Sequence, residues 1–327
     1  MFFGIYLRQM QSLIPEYPDF APISYELRTE MHPQLPMTLD GVSEYTFANL
    51  FLFRRRYRYR ISRIQNKTFI LSGIQPPPSP GEPLYSAEPE KQGSPPSKTF
   101  FCTPCAVPGR GILTELFKTH DYWKGIPDSL LTPSRDRLEE WGIVFSEDRD
   151  NSDYLYLRTD LAELPGKKYH KKRNLVNQFY NNYAVWEAKP LTAELVPVAL
   201  EILEKWRDQK GFDGDFVAAT EALQQFEGLF LRGMVYWVEG KPAAWCLGER
   251  LARGRMFAIH FEKALEDFKG IYQFINQHYA STLPNYYIHI NREQDLGDEG
   301  LRQAKMTYRP CGYVRKFTAH LKNHQLT

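Results

Sequence analysis

The residues from 291 to 305, NREQDLGDEGLRQAK, bring acids, bases and amides together directly after the apolar run 286–290. Open α/β sheets tend to place their sites at the carboxyl ends of strands. A turn accounts for Gly297, and a helix cap accounts for Asp298. Neither accounts for the polar side chains before them, which could bind a substrate or accept a proton: Asn291, Arg292, Glu293, Gln294 and Asp295.

The helix predicted at 298–308 carries two cations beside an apolar stripe. The apolar residues recur at helical spacing and are predicted to face the core: Leu301, Ala304 and Tyr308. Arg302 and Lys305 lie three residues apart on an adjacent face. Such cations could hold an anionic substrate or stabilise negative charge that develops during a reaction.

Further groups that could exchange protons lie on the predicted strand 255–264. Because successive side chains of a strand point to opposite faces, His260 and Glu262 are predicted to share one face. The other face then carries the apolar side chains Phe257, Ile259 and Phe261. A His and a Glu on one face could form an acid/base or orienting pair. The alternative is a polar edge that faces solvent.

A basic segment, KKYHKKRN at 167–174, is predicted to be helical. Three of its cations could bind nucleic-acid phosphates: Lys168, Lys172 and Arg173. Lysine and arginine at helical spacing can neutralise the negative charge of a nucleic-acid backbone. A run of this kind is equally typical of a solvated helix face. The formal net charge of the whole chain is only +2 and decides nothing between these interpretations.

Two cysteines form the sequence CTPC at 102–105. Such a pair can be a redox site or half of a zinc site. Here the pair has no second CxxC in the sequence and does not open a predicted helix. We therefore interpret it as structural, and no metal site is expected.

The composition is that of a globular protein with a sizeable core. Apolar residues make up 43% and charged residues 24% of the 327 residues, a length that suits two domains. Four cysteines do not form a disulfide framework, which favours a reducing cytoplasm. No run approaches the roughly 20 apolar residues of a membrane span, so stable membrane insertion is not expected. The oligomeric state is left open.

The predicted order of elements in the second half is helix, helix, three antiparallel strands, helix, strand, helix and strand. The segments are 191–211, 216–229, 232–240, 242–251, 255–264, 268–283, 286–290, 298–308 and 312–321. This order is typical of acyltransferases of the GNAT type. The first half repeats it less clearly, with strands at 57–74, 99–108, 143–147 and 154–160 and helices at 109–123 and 134–142.

The predicted fold is therefore α+β (mixed α/β), with two tandem GNAT-like domains that each have a central mixed sheet flanked by helices. The first domain is predicted at 1–165, with a proline-rich insertion at 75–98. The second is predicted at 166–327 and carries the site.

The segment 264–274 bears on the acyl donor. Enzymes of the GNAT type hold the pyrophosphate of coenzyme A on backbone N–H groups of a glycine-rich loop that opens a helix. Here that segment, ALEDFKGIYQF, has one glycine, and Glu266 and Asp267 stand where an anion would bind. Acetyl-CoA is therefore the less expected co-substrate.

With these residues in view, the sequence resembles the DUF2156 family, related to the C-terminal domain of phosphatidylglycerol lysyltransferases. The matching segments are KYHKKRN at 168–174, EKA at 262–264, GIYQFINQ at 270–277 and NREQDLGDEGLRQAKMTYRP at 291–310. The resemblance runs from about residue 40 to the end and is strong from 150 onward. It implies tandem GNAT-like domains and kinship with Fem-like enzymes that take an aminoacyl group from aminoacyl-tRNA.

The resemblance implies a transfer of an aminoacyl group to an amine or hydroxyl of a lipid, peptide or protein, without a cofactor other than the aminoacyl-tRNA. The resemblance implies that the base is supplied or positioned by His260, Glu262, Glu293 or Asp295. The residues expected to bind the substrate are Asn291, Arg292, Arg302, Lys305, Lys263 and Tyr272. Those expected to contact tRNA phosphates are Lys168, Lys172 and Arg173. The alternatives are an acyl-CoA-dependent N-acyltransferase and a non-catalytic binding module with this fold.

Overall fold

The computed structural model describes residues 12–35, 38–64, 68–76 and 96–322, so most of the predicted insertion 75–98 lies outside the described residues. The strands that it contains are β1 (Ala21–Pro22), β2 (Arg60–Ile64), β3 (Thr68–Gln75), β4 (Lys98–Cys102), β5 (Tyr122–Pro127), β6 (Ile143–Glu147), β7 (Asp153–Leu157), β8 (Trp186–Pro190), β9 (Arg232–Val238), β10 (Lys241–Leu251), β11 (Met256–Ala264), β12 (His289–Asn291), β13 (Gly312–Val314) and β14 (Lys316–Leu321).

Within the described residues these strands form two mixed sheets of seven strands each. The first sheet has the order β1-β2-β3-β4-β5-β14-β6, and the second has the order β13-β7-β12-β11-β10-β9-β8. Neighbours are antiparallel except for β4 with β5 in the first sheet and β11 with β12 in the second. The predicted mixed α/β fold with two sheets is confirmed.

Helices cover both sheets. In the described part of the chain they are α1 (Arg28–Met31), α2 (Phe47–Leu52), α3 (Arg110–Thr119), α4 (Asp128–Leu131), α5 (Arg135–Glu140), α6 (Arg158–Glu163), α7 (His170–Asn182), α8 (Val196–Lys210), α9 (Phe216–Gln224), α10 (Ile271–Thr282) and α11 (Glu299–Met306). None of these helices is long and apolar enough to cross a bilayer.

The two sheets exchange one strand each across the predicted boundary at residue 165. Strand β7 precedes that boundary but lies in the second sheet, between β12 and β13. Strand β14 comes from the second half of the chain but lies in the first sheet, between β5 and β6. The division at 165 stays a prediction, and the topology makes the two halves interdependent.

A large apolar core joins the halves. Residues of the first half such as Phe47 and Phe100 belong to the same buried cluster as Leu203 and Trp245 of the second half. Helix α3 covers the far side of the first sheet, and α10 covers the far side of the second. Because apolar burial contributes roughly 25 cal/mol per Å², this shared core fixes the two sheets relative to each other.

Several predicted elements differ from the structure, among them one helix and one strand. The helix predicted at 109–123 ends at Thr119, and Tyr122 begins strand β5 instead. The strand predicted at 312–321 is broken after Val314, because the chain leaves the second sheet there and enters the first. Both errors arise where short segments carry few residues on which a period could be recognised.

A β-bulge at His260 changes the predicted alternation in β11. Phe261 is opposite Leu247 of β10 and Ile259 is opposite Gly248, so that His260 is an extra residue without a partner. Phe257 and Ile259 consequently join the core under α10, whereas Phe261 joins the shared core on the other face of the sheet. The prediction that the three apolar residues share one face is wrong, because a bulge reverses the alternation.

Candidate functional site

The second sheet opens between its two parallel strands. Strands β11 and β12 pair only over Met256–Ala258 and His289–Asn291. Strand β11 then continues to Ala264, while the chain after Asn291 turns away into the segment 292–298. The opening between the diverging strands is bridged by two pairs of side chains that the sequence analysis singled out.

The first bridge contains His260 between two carboxylates. Its Nδ1 lies 2.7 Å from Oε1 of Glu293, and its Nε2 lies 3.0 Å from Oε1 of Glu249 on β10. Burial alone would lower the pKa of His260, but Glu293 and Glu249 outweigh burial and raise the pKa to about 10. His260 is therefore an imidazolium at neutral pH, with both ring nitrogens donating, and it cannot serve as a general base.

The second bridge is the ion pair between Arg292 and Glu262, with 3.1 Å between the guanidinium and Oε1. Glu262 also lies beside Asn276 of α10, under the opposite face of the sheet from the His260 bridge. The predicted sharing of one face by His260 and Glu262 is therefore wrong, again because of the bulge at His260. The guanidinium of Arg292 lies 5.3 Å from the ring centroid of Tyr308.

Asn291 connects the turn to the first half of the chain. Its Nδ2 donates to the carbonyl of Gly41 at 2.9 Å and to Oδ2 of Asp153 at 3.0 Å, and its Oδ1 accepts from the N–H of Glu293 at 2.7 Å. Asp153 is itself fully buried and pairs with the buried ammonium of Lys316 at 2.7 Å. Asn291 thus positions Glu293, whose φ of +57° is in the left-handed region.

Asp295 is fully buried and saturated with donors. It accepts from the hydroxyl of Tyr154 at 2.5 Å, from Arg149 at 3.2 Å, from Nε of Arg302 at 3.0 Å and from the N–H of Gly297 at 3.0 Å. Although burial would raise its pKa, these hydrogen bonds hold the pKa well below the usual range. Asp295 anchors the turn, and its lone pairs are occupied, so we do not assign it the role of base.

Helix α11 turns its cations, not its predicted stripe, toward the protein. Leu301 is 39% exposed and Ala304 is also exposed, which leaves Tyr308 as the buried member of the stripe. Nζ of Lys305 instead donates to the carbonyls of Arg292 at 2.6 Å and Gln294 at 2.5 Å. Burial lowers the pKa of Lys305 to about 8. The predicted cap at Asp298 is confirmed, since its Oδ1 accepts from the N–H of Leu301.

A narrow cleft of about 50 Å³ lies between the two sheets and reaches the turn at residues 293–296. We call it the inter-sheet cleft. Its lining is rich in aromatic and apolar side chains and includes Glu293 and Gln294 from the turn. The residues that line it are Val42, Glu44, Tyr45, Asn49, Leu50, Phe53, Tyr57, Tyr59, Leu71, Cys102, Lys124, Gly125, Asn151, Glu293, Gln294 and Leu296.

The CTPC pair contributes one thiol to this cleft. Cys102 is buried at the end of β4, and its sulfur, like that of Cys105, is free. Burial raises the pKa of Cys102 to about 12, so it is protonated at neutral pH and is no nucleophile. In the described ranges no three His, Cys, Asp or Glu side chains are grouped as metal ligands would be.

A second cleft, which we call the basic cleft, lies between α7 and α11. Its lining is mostly cationic and polar: Lys167, Lys168, Lys171, Lys172, Leu175, Gln303, Met306, Thr307 and Arg309. Nζ of Lys172 lies 3.9 Å from the ring centroid of Tyr308, which also contacts Arg292. Burial and the charge of Arg292 lower the pKa of Lys172 to about 8. The basic cleft therefore adjoins the bridge of Arg292 and Glu262.

The other predicted cations are differently placed. Lys168 lines the basic cleft but pairs with Asp160 at 2.8 Å. Arg173 donates to the backbone carbonyls of Leu164 and Gly166 and does not line the basic cleft. Lys171, Lys167 and Arg309 line this cleft without having been predicted, although the first two stand in the basic segment.

Lys263 and Tyr272 lie outside both clefts. Nζ of Lys263 contacts Asp215 at 2.5 Å and the ring of Trp206. The hydroxyl of Tyr272 accepts from Nε1 of Trp206 at 3.2 Å. These contacts brace α8 and α9 against the second sheet. Glu249, in contrast, was missed by sequence reasoning, although a lone acid in the apolar segment 242–251 is a signal that could have found it.

Comparisons with known proteins agree with the resemblance seen in the sequence. No functionally curated protein matches the chain. A protein of unknown function from Bacteroides thetaiotaomicron is 30% identical, with 93% of this chain and 99% of that chain covered and a TM-score of 0.75. The structure of L-PGS from Bacillus licheniformis is 14% identical, with 97% and 96% covered and a TM-score of 0.59. FemX is 8% identical, with 93% and 97% covered and a TM-score of 0.51.

The likenesses to L-PGS and FemX, at such low identity, establish the fold, which is GNAT-like with two sheets. The family is established by sequence. Residues 127–320 match the family described as phosphatidylglycerol lysyltransferase, C-terminal. This segment includes both bridges, and it includes the residues with which the second half of the chain lines the two clefts. Because the match spans more than half of its length, the chain belongs to the family of phosphatidylglycerol lysyltransferase C-terminal domains, a family of aminoacyltransferases.

Proposed function

We propose that the protein transfers an aminoacyl group from aminoacyl-tRNA to an amine or hydroxyl acceptor at the opening between β11 and β12. One observation carries this proposal. Glu293, hydrogen-bonded to the imidazolium of His260, lines the inter-sheet cleft, while a basic cleft suited to RNA phosphates adjoins the same turn through Arg292 and Lys172. The family and the Fem-like fold support the same reaction class.

In the proposed reaction, the acceptor nitrogen or oxygen attacks the carbonyl carbon of the aminoacyl ester. The new N–C or O–C bond forms, and the bond from that carbon to the 3′ oxygen of the tRNA breaks. Glu293 accepts the proton that the attacking group loses, and the proton then passes to the departing 3′ oxygen. His260 orients Glu293, because the Nδ1–H of its imidazolium donates to a carboxylate oxygen of Glu293.

The basic cleft is the proposed binding surface for the tRNA end. Lys167, Lys171, Lys172 and Arg309 can contact phosphates, which supply most of the affinity of proteins for nucleic acids. Such binding weakens steeply as salt rises, because each contact releases counterions. Lys168 contributes less, since it already pairs with Asp160.

The segment that would hold coenzyme A has contacts that disfavour an acyl-CoA donor. Gly270 before α10 is so close to α7 that an added Cβ would lie 2.5 Å from the carbonyl oxygen of Leu175. The N–H of Lys269 already donates to the hydroxyl of Tyr183 at 3.0 Å. A pyrophosphate would therefore have to displace α7 to reach backbone donors there.

The proposal is tested by incubating the full chain with tRNAs charged with radiolabelled amino acids and with lipid, peptide and amine acceptors. We expect label to pass from tRNA to one class of acceptor. Glu293→Gln keeps the size of the side chain but cannot accept the proton, and we expect it to lower the transfer rate about 100-fold or more. Radiolabel counting after separation of tRNA from product measures the rate.

The matched control is Glu299→Gln on α11, where the side chain is 84% exposed and outside both clefts. We expect this variant to transfer at the rate of the unchanged protein. No transfer to any acceptor, together with no tRNA binding at low salt, would refute the proposal. Micromolar binding of acetyl-CoA in a calorimetric titration would favour the acyl-CoA alternative, and a cellular phenotype retained by Glu293→Gln would favour a binding module.

A further inference from the structure

A serine and a histidine that the proposed reaction leaves unused lie together on the outer face of the first sheet. Ser72 stands on β3, and His120 comes directly after Thr119, where α3 ends. Oγ of Ser72 lies 2.8 Å from Nε2 of His120. Because Leu71 lines the inter-sheet cleft, Ser72 faces the opposite side of the sheet, which α3 covers. The pair is therefore separate from both clefts.

The other hydrogen bonds of His120 fix the direction of this contact. Its Nδ1 lies 3.0 Å from the carbonyl oxygen of Leu116, and because a carbonyl only accepts, Nδ1 carries the hydrogen. The hydroxyl of Thr119, 2.9 Å from the same nitrogen, can share that hydrogen as a second acceptor. Burial lowers the pKa of His120, so the ring is neutral at neutral pH and its Nε2 is an acceptor. The hydroxyl of Ser72 therefore donates to Nε2.

Two aromatic side chains hold the imidazole of His120 in place. The ring of Phe101 stands edge-on to it with 5.6 Å between the centroids, and the ring of Phe20 lies at 6.4 Å. Ser72 and His120 are both partly exposed, so solvent and small molecules have access to them. A hydroxyl, a neutral base and a carbonyl that orients the base form the arrangement by which a serine is activated as a nucleophile.

A cation lies beside the pair. Arg60 of β2 is directly opposite Ser72 in the sheet, and the side chains of opposite residues share one face, with about 5 Å between their Cβ atoms. The guanidinium of Arg60 donates to the carbonyl of Phe20 at 2.5 Å, and the ring of Phe20 neighbours His120. A positive charge at this place can stabilise the oxyanion that forms when a hydroxyl attacks a carbonyl carbon.

We propose that Ser72 is the nucleophile of a second site, which hydrolyses carboxylic esters with His120 as the general base. Oγ of Ser72 forms a bond to the acyl carbon while its proton passes to Nε2 of His120. The bond from the acyl carbon to the alcohol oxygen breaks, and that oxygen takes the proton from Nε2. Water then attacks the acyl carbon and gives a proton to Nε2, and the bond to Oγ breaks as Oγ recovers its proton. The products are an alcohol and a carboxylic acid.

The surroundings of the pair favour an ester of a short acid with an aromatic alcohol. Arg60 and Phe101 flank Ser72 on the two neighbouring strands, which leaves room for an acyl group of few atoms. The partly buried rings of Tyr17 and Phe20 meet edge-on with 6.0 Å between their centroids. An aromatic leaving group can pack against these rings beside His120.

The test is the hydrolysis of p-nitrophenyl acetate by the full chain in the absence of tRNA. We expect p-nitrophenolate to be released faster than in buffer alone. Peptide mass spectrometry after an acid quench should find an acetyl group on Ser72. Ser72→Ala removes the nucleophile, and His120→Phe removes the base but keeps a ring that packs against Phe101. Each variant should lower the rate at least about tenfold.

The matched control is Ser281→Ala. Ser281 is exposed, and its hydroxyl donates to the backbone carbonyl of His278, where no base can activate it. We expect this variant to hydrolyse the ester at the rate of the unchanged protein. An unchanged rate in Ser72→Ala, or acetyl groups found on other residues and not on Ser72, would overturn the inference. The acetylation experiment uses the unchanged protein, so it decides the question even where a variant fails to fold.

The inference does not depend on the proposed function. Hydrolysis is measured without tRNA, and Glu293 lies in the inter-sheet cleft on the other side of the first sheet. If no aminoacyl group is transferred but Ser72 becomes acetylated, this inference stands and the proposed function fails. If transfer occurs and Ser72 stays unmodified, the proposed function stands and this inference fails.

Discussion

His260 is held in its charged form by Glu249 and Glu293, one at each ring nitrogen. A half-buried imidazole without such partners has the opposite behaviour, as His278 illustrates, because burial lowers the pKa of His278. The sequence suggested that His260 supplies a base or positions one, and its two acidic neighbours make it a hydrogen-bond donor to both of them at neutral pH.

The charge of His260 gives a pH dependence of stability. The pKa of His260 is about 10 in the folded protein and about 6.5 in the unfolded chain. The contribution of His260 to the free energy of unfolding is therefore fully present below about pH 6.5 and is lost as the pH rises toward about 10. The free energy of unfolding of the unchanged protein should therefore exceed that of His260→Gln most at low pH, with the gap closing as pH rises. Urea unfolding at several pH values measures both.

NMR of the imidazole carbons supplies the control for this prediction. His260 should remain protonated at about pH 8, whereas His278 in the same sample should be neutral at about pH 7. A neutral His260 at pH 8, or a stability gap that does not change with pH, would contradict the assignment of charge.

The polar composition of residues 291–295 was enough to predict a candidate site there. It did not show the different roles of the individual residues. Asn291 and Asp295 are buried anchors, whereas Glu293 faces the inter-sheet cleft. The sequence could indicate that these polar groups need partners, since buried polar groups are nearly always hydrogen-bonded. It could not indicate which partners, because Gly41, Tyr154 and Asp153 lie far away along the chain.

At the scale of elements, the bulge in β11 decides the geometry of the site. It sends His260 toward Glu249 and Glu293 and leaves Glu262 beside Arg292 and α10. Gly248 stands opposite the bulge, where an added Cβ would lie 1.9 Å from the carbonyl oxygen of Ala258. The close approach of the two backbones therefore requires glycine at this position.

Gly248→Ala should accordingly destabilise the fold and displace the bulge. A clash with backbone cannot be relieved by rotation of a side chain, so we expect a loss of roughly 2 kcal/mol or more in the free energy of unfolding. Transfer activity should fall as well, since the pairing of His260 with Glu293 depends on the bulge. Denaturant unfolding and the transfer assay measure the two effects.

Gly111→Ala is the matched control for Gly248→Ala. Gly111 lies in helix α3, with no atom within 4 Å of the added Cβ. Alanine favours a helix over glycine by up to about 1 kcal/mol, so this variant should be as stable as the unchanged protein or slightly more stable. Equal stability of Gly248→Ala and Gly111→Ala would contradict the role given to the bulge.

The elements themselves were largely predictable, because α7, α8, α10 and the strands β9–β11 have clear periods and turns. Which face of each element is buried was less predictable. In β11 the bulge interrupts the period of two, and in α11 the long side chains of Arg302 and Lys305 reach the buried Asp295 and backbone carbonyls in place of an apolar stripe. A period of apolar residues indicates which face of a helix is apolar. It cannot show that polar side chains on another face contact buried polar groups and turn that face toward the protein.

At the scale of the whole molecule, the exchange of β7 and β14 ties the halves together. Each sheet has an internal strand supplied by the other half of the chain. The buried ion pair of Asp153 on β7 with Lys316 on β14 lies where the two exchanged strands meet. Element order suggested two tandem units, and order alone does not reveal which sheet a short strand joins.

The exchange predicts that the halves do not fold separately. A fragment of residues 1–165 lacks β14, which separates β5 from β6, and a fragment of 166–327 lacks β7, which separates β12 from β13. Each fragment alone should give a poorly dispersed NMR spectrum, and a mixture of the two should recover native signals. Native dispersion in either isolated fragment would contradict the interdependence.

The position of β14 also has a consequence for biosynthesis. A ribosome releases residues 60–147, which supply most of the first sheet, well before it releases residues 316–321. The nascent chain therefore carries a split sheet with unpaired edges at β5 and β6 until residues 316–321 have been released. Until then the first sheet is incomplete, and the exposed edges of β5 and β6 can pair with other chains.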